Sequence, residues 1–164
     1  MPPLTRWVRG LSWVCRSESV PGGIQSAETT LHATCVAFGD RAVLIRGASG
    51  RGKSGLALEL LAMGAGLVAD DRTRLWRVRD AVIADAPETI RGLIEARGIG
   101  ILSLPCVGPQ PLALVVNLDR DETDRLPVRR HEDVMGVALP SIGRVAHHHF
   151  PAAVLLYLRY GEVS

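Results

Sequence analysis

The sequence contains few cysteines and no long hydrophobic run, and each absence excludes a class of protein. Three cysteines, Cys15, Cys35 and Cys106, are widely spaced along the 164 residues. They fit neither a zinc-ligand pattern nor a disulfide framework, so we expect reduced thiols in a cytoplasmic protein. No stretch approaches the ~20 apolar residues that span a bilayer. A secretory signal is not expected, because Arg16 interrupts the short apolar run at residues 11–15.

Neither sign of charge is in large excess. The formal net charge is +2, and the arginines are scattered among Asp and Glu without forming one basic run. This distribution gives no reason to expect a nucleic-acid partner. The chain is 47% hydrophobic and 22% charged, which is typical of a folded globular protein, and its length predicts one domain.

The first 27 residues differ from the rest of the chain. They hold two tryptophans, several arginines and the breaker Pro21-Gly22-Gly23, with no sustained helix or strand period. We therefore predict a poorly ordered leader at residues 1–27 and a single folded domain at residues 28–164.

Apolar runs and turn signals predict mixed α/β structure from about Thr30 onward. Two short apolar runs flank Gly39-Asp40 and predict an antiparallel hairpin. Strands are predicted at 35–38, 42–45, 67–69, 73–78, 81–84, 98–102 and 112–118. Helices are predicted after Gly52, ending near Gly64, and at 88–96, and the apolar tail at 150–160 predicts a helix or strand. The unbroken run at 112–118 is typical of a central strand buried on both faces.

The segment from residue 47 to residue 54 matches the pattern G-x-x-x-x-G-K-[ST]. It comprises Gly47, Ala48, Ser49, Gly50, Arg51, Gly52, Lys53 and Ser54. Glycines in such a loop let backbone N–H groups converge on phosphate oxygens. Lys53 is then expected to reach the β and γ phosphates, and the Ser54 hydroxyl to bind Mg²⁺. A chance glycine turn is disfavoured, because a strand precedes the segment and a helix follows it. The sequence therefore predicts ATP and Mg²⁺ binding.

An acidic pair, Asp70-Asp71, follows the short predicted strand at 67–69. Carboxylates at the end of a strand can face a phosphate site, where one completes a magnesium shell and the other takes a proton. Paired acids at strand ends are equally common in solvated turns. Spacing alone leaves both interpretations open.

Four blocks in order resemble the HPr kinase/phosphorylase family. They are Leu31-His32-Ala33, the loop at 47–54, Leu67-Val68-Ala69-Asp70-Asp71 and Ile94-Glu95-Ala96-Arg97-Gly98-Ile99-Gly100-Ile101. The likeness is to short members that consist of the catalytic domain alone. It implies a P-loop-containing α/β fold akin to phosphoenolpyruvate carboxykinase, with a mixed sheet and flanking helices. It also implies ATP-dependent phosphorylation of a serine in the phosphocarrier HPr of a bacterial phosphotransferase system, and in many members the reverse phosphorolysis.

The resemblance also implies residue roles. Asp70 would be the general base, His32 would tune it, and Arg97 would neutralise charge on the moving phosphoryl group. Asp71 and Glu95 would join Ser54 at the magnesium ion. A homo-oligomer is a further expectation from the family.

The chain also departs from the family pattern. Gly55 stands where longer members carry an acidic residue, and residues 126–130 and 139–144 only loosely match a loop that contacts the partner protein. Two alternatives therefore stay open: an ATP-binding sensor without catalysis, and a small-molecule kinase or nucleotide hydrolase. The run His147-His148-His149 predicts a polar loop, because consecutive histidines point in different directions and chelate a metal poorly.

Overall fold

The computed structural model describes residues 27–161, which form a curled mixed sheet of nine β-strands, a separate two-stranded sheet and two α-helices. The mixed α/β class is as predicted, and all but the last residue of the predicted leader lies outside the described residues. The strands are β1 (Thr29–Leu31), β2 (Thr34–Phe38), β3 (Arg41–Arg46), β4 (Gly66–Ala69), β5 (Thr73–Val78), β6 (Ala81–Asp85), β7 (Leu93–Ala96), β8 (Gly100–Ser103), β9 (Gln110–Asp121), β10 (Arg130–Val134) and β11 (Val137–Arg144). The helices are α1 (Lys53–Ala62) and α2 (Phe150–Tyr160).

Strand β9 is the centre of the sheet. The strand order is β1-β5-β6-β9-β3-β2-β4, and β11 also pairs with β9 and carries β10. β9 runs parallel to β3 and β11 and antiparallel to β6. Leu114, Val115 and Val116 of β9 have no exposed surface. The prediction of a central strand buried on both faces is therefore confirmed.

The hydrophobic core lies on both faces of this sheet. One cluster of buried side chains includes Leu75 and Val82, and the other includes Leu60 of α1 and Leu158 of α2. The predicted hairpin is confirmed as β2 and β3, and Gly39 has the positive φ of 63° that its tight turn requires. Both helices thus pack on one face, beside the segment that joins β3 to α1.

The predicted helix at 88–96 is wrong. A single 3-10 turn covers Glu88–Ile90, and residues 93–96 form β7, which pairs with β8. The side chain of Arg91 turns back onto the buried carboxylate of Asp85, with N···O distances of 2.8 and 2.7 Å. These hydrogen bonds raise the pKa of Arg91. Gly92 then takes a positive φ of 76°, and a Cβ at this position would lie 2.7 Å from the Leu104 carbonyl oxygen, so a helix cannot continue.

The apolar tail at 150–160, for which the sequence allowed a helix or a strand, forms helix α2. The three histidines precede it in a loop, as predicted. Neither helix of the described residues is long and apolar enough to cross a membrane.

Candidate active site

The glycine-rich segment forms the connection between β3 and α1. Gly47 has a φ of 149° and Gly52 a φ of 92°, which a residue with a side chain rarely adopts. A Cβ on Gly47 would also lie 3.1 Å from the Cβ of Leu118 in β9. The backbone can therefore curl toward the start of α1 only with glycine at these positions.

Strand β9 holds this loop in place. The Asp119 carboxylate accepts the backbone N–H of Ala48 at 3.0 and 3.1 Å. The guanidinium of Arg51 donates to the Leu118 carbonyl oxygen at 2.9 and 2.6 Å, and it lies 3.4 Å from Asp119. No local signal in the sequence identifies Asp119, because it lies 71 positions after Ala48 and only the pairing of β3 with β9 brings them together. The loop thus has a defined shape fixed by the sheet.

The side chain of Lys53 reaches across the loop. It is buried, and its Nζ donates to the carbonyl oxygens of Gly47 and Ala48 at 2.9 and 3.2 Å. Nζ also lies 3.0 Å from Nε2 of His32. Because an ammonium group can only donate, Nε2 is the acceptor, and the proton of the neutral ring is on Nδ1. That nitrogen lies 3.0 Å from the Asp71 carboxylate, which is a suitable acceptor.

The two neighbouring acids have different environments. Asp70 is buried, and its carboxylate accepts hydrogen bonds from Thr34 Oγ1 and Ser54 Oγ, both at 2.8 Å, and from the N–H of Glu95 at 3.1 Å. Both of its oxygens are engaged. Asp70 therefore links β2, the start of α1 and β7.

Asp71, in contrast, is open to solvent. Its side chain is 66% exposed, and its partner is His32. The backbone of Asp71 has a φ of 62°, a left-handed conformation that aspartate tolerates better than most residues. Strained positions of this kind concentrate at functional sites, which makes this carboxylate a candidate for the chemistry.

A cavity of about 280 Å³ lies above these groups. The structure brings together here most of the side chains that the sequence singled out, with Ser49, Gly50 and Gly52 of the loop. The lining side chains that carry chemistry are His32, Lys53, Ser54, Asp71, Glu95 and Arg97. Asp70 lies beneath this set, and Arg51 points to the opposite flank of the loop. Gly47 and Ala48 contact Lys53 through their carbonyl oxygens.

The donor set of this cavity fits Mg²⁺ held jointly with phosphate oxygens. Among residues 27–161 no group of three or more His, Cys, Asp and Glu side chains is placed to hold a metal ion alone. Mg²⁺ at phosphate-binding sites is typically held by one or two carboxylates together with the phosphates. Ser54, Asp71 and Glu95 line the same cavity. It therefore offers a hydroxyl group and the one or two carboxylates that would hold Mg²⁺ together with phosphate oxygens.

A partly buried polar cluster surrounds Glu132 of β10. Its carboxylate accepts hydrogen bonds from Asn117 at 2.9 Å and Ser141 at 2.8 Å, and Arg46 and Arg120 lie 3.3 and 3.5 Å away. Burial alone would raise the pKa of Glu132, but these hydrogen bonds and positive charges lower it below its usual value. Arg46 directly precedes the loop, so the cluster holds the end of β3 from which the loop starts.

The cluster predicts a specific pH dependence. A carboxylate whose pKa is lower in the folded state than in the unfolded state stabilises the fold. This stabilisation is fully present above the unfolded-state pKa, and it is lost as the pH falls through the folded-state pKa. Glu132→Gln is therefore expected to lose less free energy of unfolding than the wild type between about pH 6 and about pH 3. Urea unfolding at several pH values checks this, with Glu59→Gln, an exposed glutamate on α1, as the matched control. Parallel curves for wild type and Glu132→Gln would contradict it.

The fold and the site define an α/β protein with a candidate phosphate-binding loop between a strand and a helix, next to a histidine–carboxylate pair. The family model described as HPr Serine kinase C-terminal domain matches residues 24–143. The chain belongs to this family.

Individual relatives agree with the family match. The HPr kinase/phosphorylase of Acidovorax sp. (strain JS42) is 40% identical over 123 residues, covering 66% of this chain and 39% of the relative. That of Leptothrix cholodnii is 41% identical over 114 residues, covering 61% and 35%. The chain thus spans about two fifths of the length of these curated relatives.

A solved structure is similar as well. The structure of the Hpr(Ser) kinase/phosphatase from Coxiella burnetii aligns with a TM-score of 0.70 and 27% sequence identity. The alignment covers 80% of this chain and 94% of that chain.

Proposed function

We propose that this chain is an ATP- and Mg²⁺-dependent protein kinase that phosphorylates a serine of an HPr-type phosphocarrier. One observation carries the proposal: the exposed Asp71 carboxylate is paired with His32 at 3.0 Å in the same cavity as Lys53 and Ser54. Transfer to a hydroxyl needs a carboxylate to accept its proton beside the site where the phosphates bind. The names of the relatives supply the phosphocarrier as the substrate.

Within this proposal the geometry favours Asp71 over Asp70 as the general base. The family resemblance placed the base at Asp70 and a metal ligand at Asp71. Asp70 is buried with both oxygens engaged, so a substrate hydroxyl has no access to it. Its hydrogen bond from Ser54 instead fixes the direction of that hydroxyl group, whose oxygen would be free to bind Mg²⁺.

The proposed steps follow from the positions of the side chains. The attacking serine hydroxyl donates its proton to the Asp71 carboxylate while its oxygen bonds to the γ-phosphorus of ATP and the bond from that phosphorus to ADP breaks. The Nδ1–H of His32 holds the carboxylate in place. Lys53 and Arg97 supply positive charge in the cavity, which stabilises the negative charge of a phosphoryl group in transfer. Mg²⁺, when bound, supplies further charge stabilisation at the phosphate oxygens. In the reverse phosphorolysis Asp71 would act as the acid.

The proposal extends to residues 28–164 as the catalytic domain, with a fold akin to phosphoenolpyruvate carboxykinase. The parallel pairing of β3 and β9 next to the glycine-rich loop supports this fold. A homo-oligomer remains a prediction from the family.

The test is to incubate the full chain with Mg²⁺, ATP labelled at the γ position and a purified HPr protein. We expect label on a serine of HPr, and at least ~10²-fold less label with Lys53→Met, since that variant lacks a charged donor to the phosphates. A chelator of Mg²⁺ should abolish the label. An HPr variant with the labelled serine changed to alanine is the matched substrate control.

Other outcomes would contradict the kinase. Steady ATP hydrolysis without label on HPr would indicate a nucleotide hydrolase or a small-molecule kinase. Tight ATP binding with neither hydrolysis nor transfer would indicate a nucleotide sensor.

A further inference from the structure

A second cavity, of about 310 Å³, lies beside the same loop. The first cavity is lined by Ser54 and Leu58 of α1, whereas the second is lined by Leu56 and Glu59. Positions 54 and 58 share one face of a helix, and positions 56 and 59 share a face turned well away from it. The two cavities therefore flank the first two turns of α1.

Bare backbone separates the two cavities. Gly52 and Gly55 line both of them, and a Cβ built on either glycine would meet nothing within 4 Å. In the described residues no side chain caps the N-terminus of α1, so its first N–H groups face this passage. A polyphosphate can cross here from one cavity to the other, in contact with backbone donors.

The side chains of the second cavity suit a flat heterocycle and a sugar. Exposed imidazoles of His147 and His148 line one side, and Phe150 and Leu56 form an apolar floor. Aromatic side chains stack on nucleobases, and this stacking contributes ~1–3 kcal/mol per base. The exposed carboxylate of Glu59 can accept hydrogen bonds from ribose hydroxyl groups.

The proposed function fixes which end of the nucleotide lies in which cavity. His32, Asp71 and Lys53 line the first cavity, so the γ-phosphate lies there. The nucleoside end of the same molecule must then leave the loop on the other flank of α1.

We infer that the cavity lined by Glu59, His147 and His148 binds the nucleoside part of the triphosphate, with the base stacked on one of the two imidazole rings. This inference rests on the proposed function, because it requires that the glycine-rich loop binds a nucleotide. It assigns base recognition to His147 and His148 of the three-histidine run, apart from the residues that transfer phosphate.

The test compares MgATP with magnesium tripolyphosphate, which lacks the nucleoside. The double variant His147→Ala/His148→Ala in the full chain is expected to raise the Kd for MgATP by about 5- to 100-fold. Its Kd for tripolyphosphate should stay within about twofold of the wild type, which also shows that the loop is correctly folded. His131→Ala, an exposed histidine on β10, is the matched control and should change neither Kd.

The aromatic pair His147→Phe/His148→Phe should retain most of the affinity for MgATP, because stacking needs a flat ring and not an imidazole nitrogen. Unchanged MgATP binding by the alanine variant would overturn the inference. An equal loss for MgATP and tripolyphosphate would also overturn it, since the histidines would then act on the phosphates or on folding. A wild-type chain that binds neither probe would instead overturn the proposed function.

Discussion

Asp71→Asn is expected to slow phosphoryl transfer to the carrier by about 10²- to 10⁴-fold. Asparagine keeps the shape of the side chain and its contact with His32, but its amide cannot take a proton from a hydroxyl. The Kd for MgATP should stay within about twofold of the wild type, because Lys53 and the loop backbone are untouched. Single-turnover rates at saturating HPr, together with equilibrium ATP titrations, measure the two quantities separately.

Asp80→Asn is the matched control for this substitution. Asp80 is fully exposed in the turn between β5 and β6, and it does not line the cavity beside the glycine-rich loop. This variant should transfer phosphate at the wild-type rate. Full activity in Asp71→Asn would show that another group accepts the proton of the serine hydroxyl and would refute the assignment of Asp71 as the general base.

Asp70→Asn is expected to reduce the free energy of unfolding by about 2–4 kcal/mol. The carboxylate accepts three hydrogen bonds, from Thr34, Ser54 and the backbone N–H of Glu95. An amide keeps one oxygen for the two hydroxyl groups, but its NH₂ group then faces the N–H of Glu95. A buried donor without an acceptor is costly to desolvate, so the loss is larger than for one ordinary hydrogen bond.

Thermal and urea unfolding of Asp70→Asn measure this loss, and we expect the Tm to fall by roughly 5–15 °C. Asp71→Asn serves as the neighbouring control and should change the free energy of unfolding by less than about 1 kcal/mol, because its side chain is exposed. Substitution of Asp70 is thus expected to lower the free energy of unfolding, and substitution of Asp71 to lower the rate of phosphoryl transfer. Native stability in Asp70→Asn would refute the structural role of Asp70.

The sequence predicted the parts of this fold that depend on local signals. The hairpin at Gly39-Asp40 and the run at 112–118 follow from turn chemistry and from unbroken apolar character, and both are present. The helix predicted at 88–96 rested on local sequence alone, and it is absent. Distant contacts decided it: Arg91 binds the buried Asp85, and residues 93–96 pair with β8.

The different environments of Asp70 and Asp71 could not be read from the sequence. Burial of Asp70 depends on its hydrogen bond with Thr34 at the start of β2, which in turn pairs with β4. Two consecutive carboxylates carry no signal of which one turns inward. Asp119 and Glu132 were missed for the same reason, since only the pairing of distant strands brings Asp119 to Ala48 and Glu132 to Arg46.

The position of β9 also has a consequence for biosynthesis. A ribosome completes β3, the loop and α1 long before it reaches residues 110–121, yet Leu118 and Asp119 of β9 hold the loop in shape. The nascent chain therefore lacks these contacts to the glycine-rich loop until β9 has emerged and paired with β3. If the loop binds ATP as proposed, ATP would stabilise chains that have completed this pairing more than shorter nascent chains.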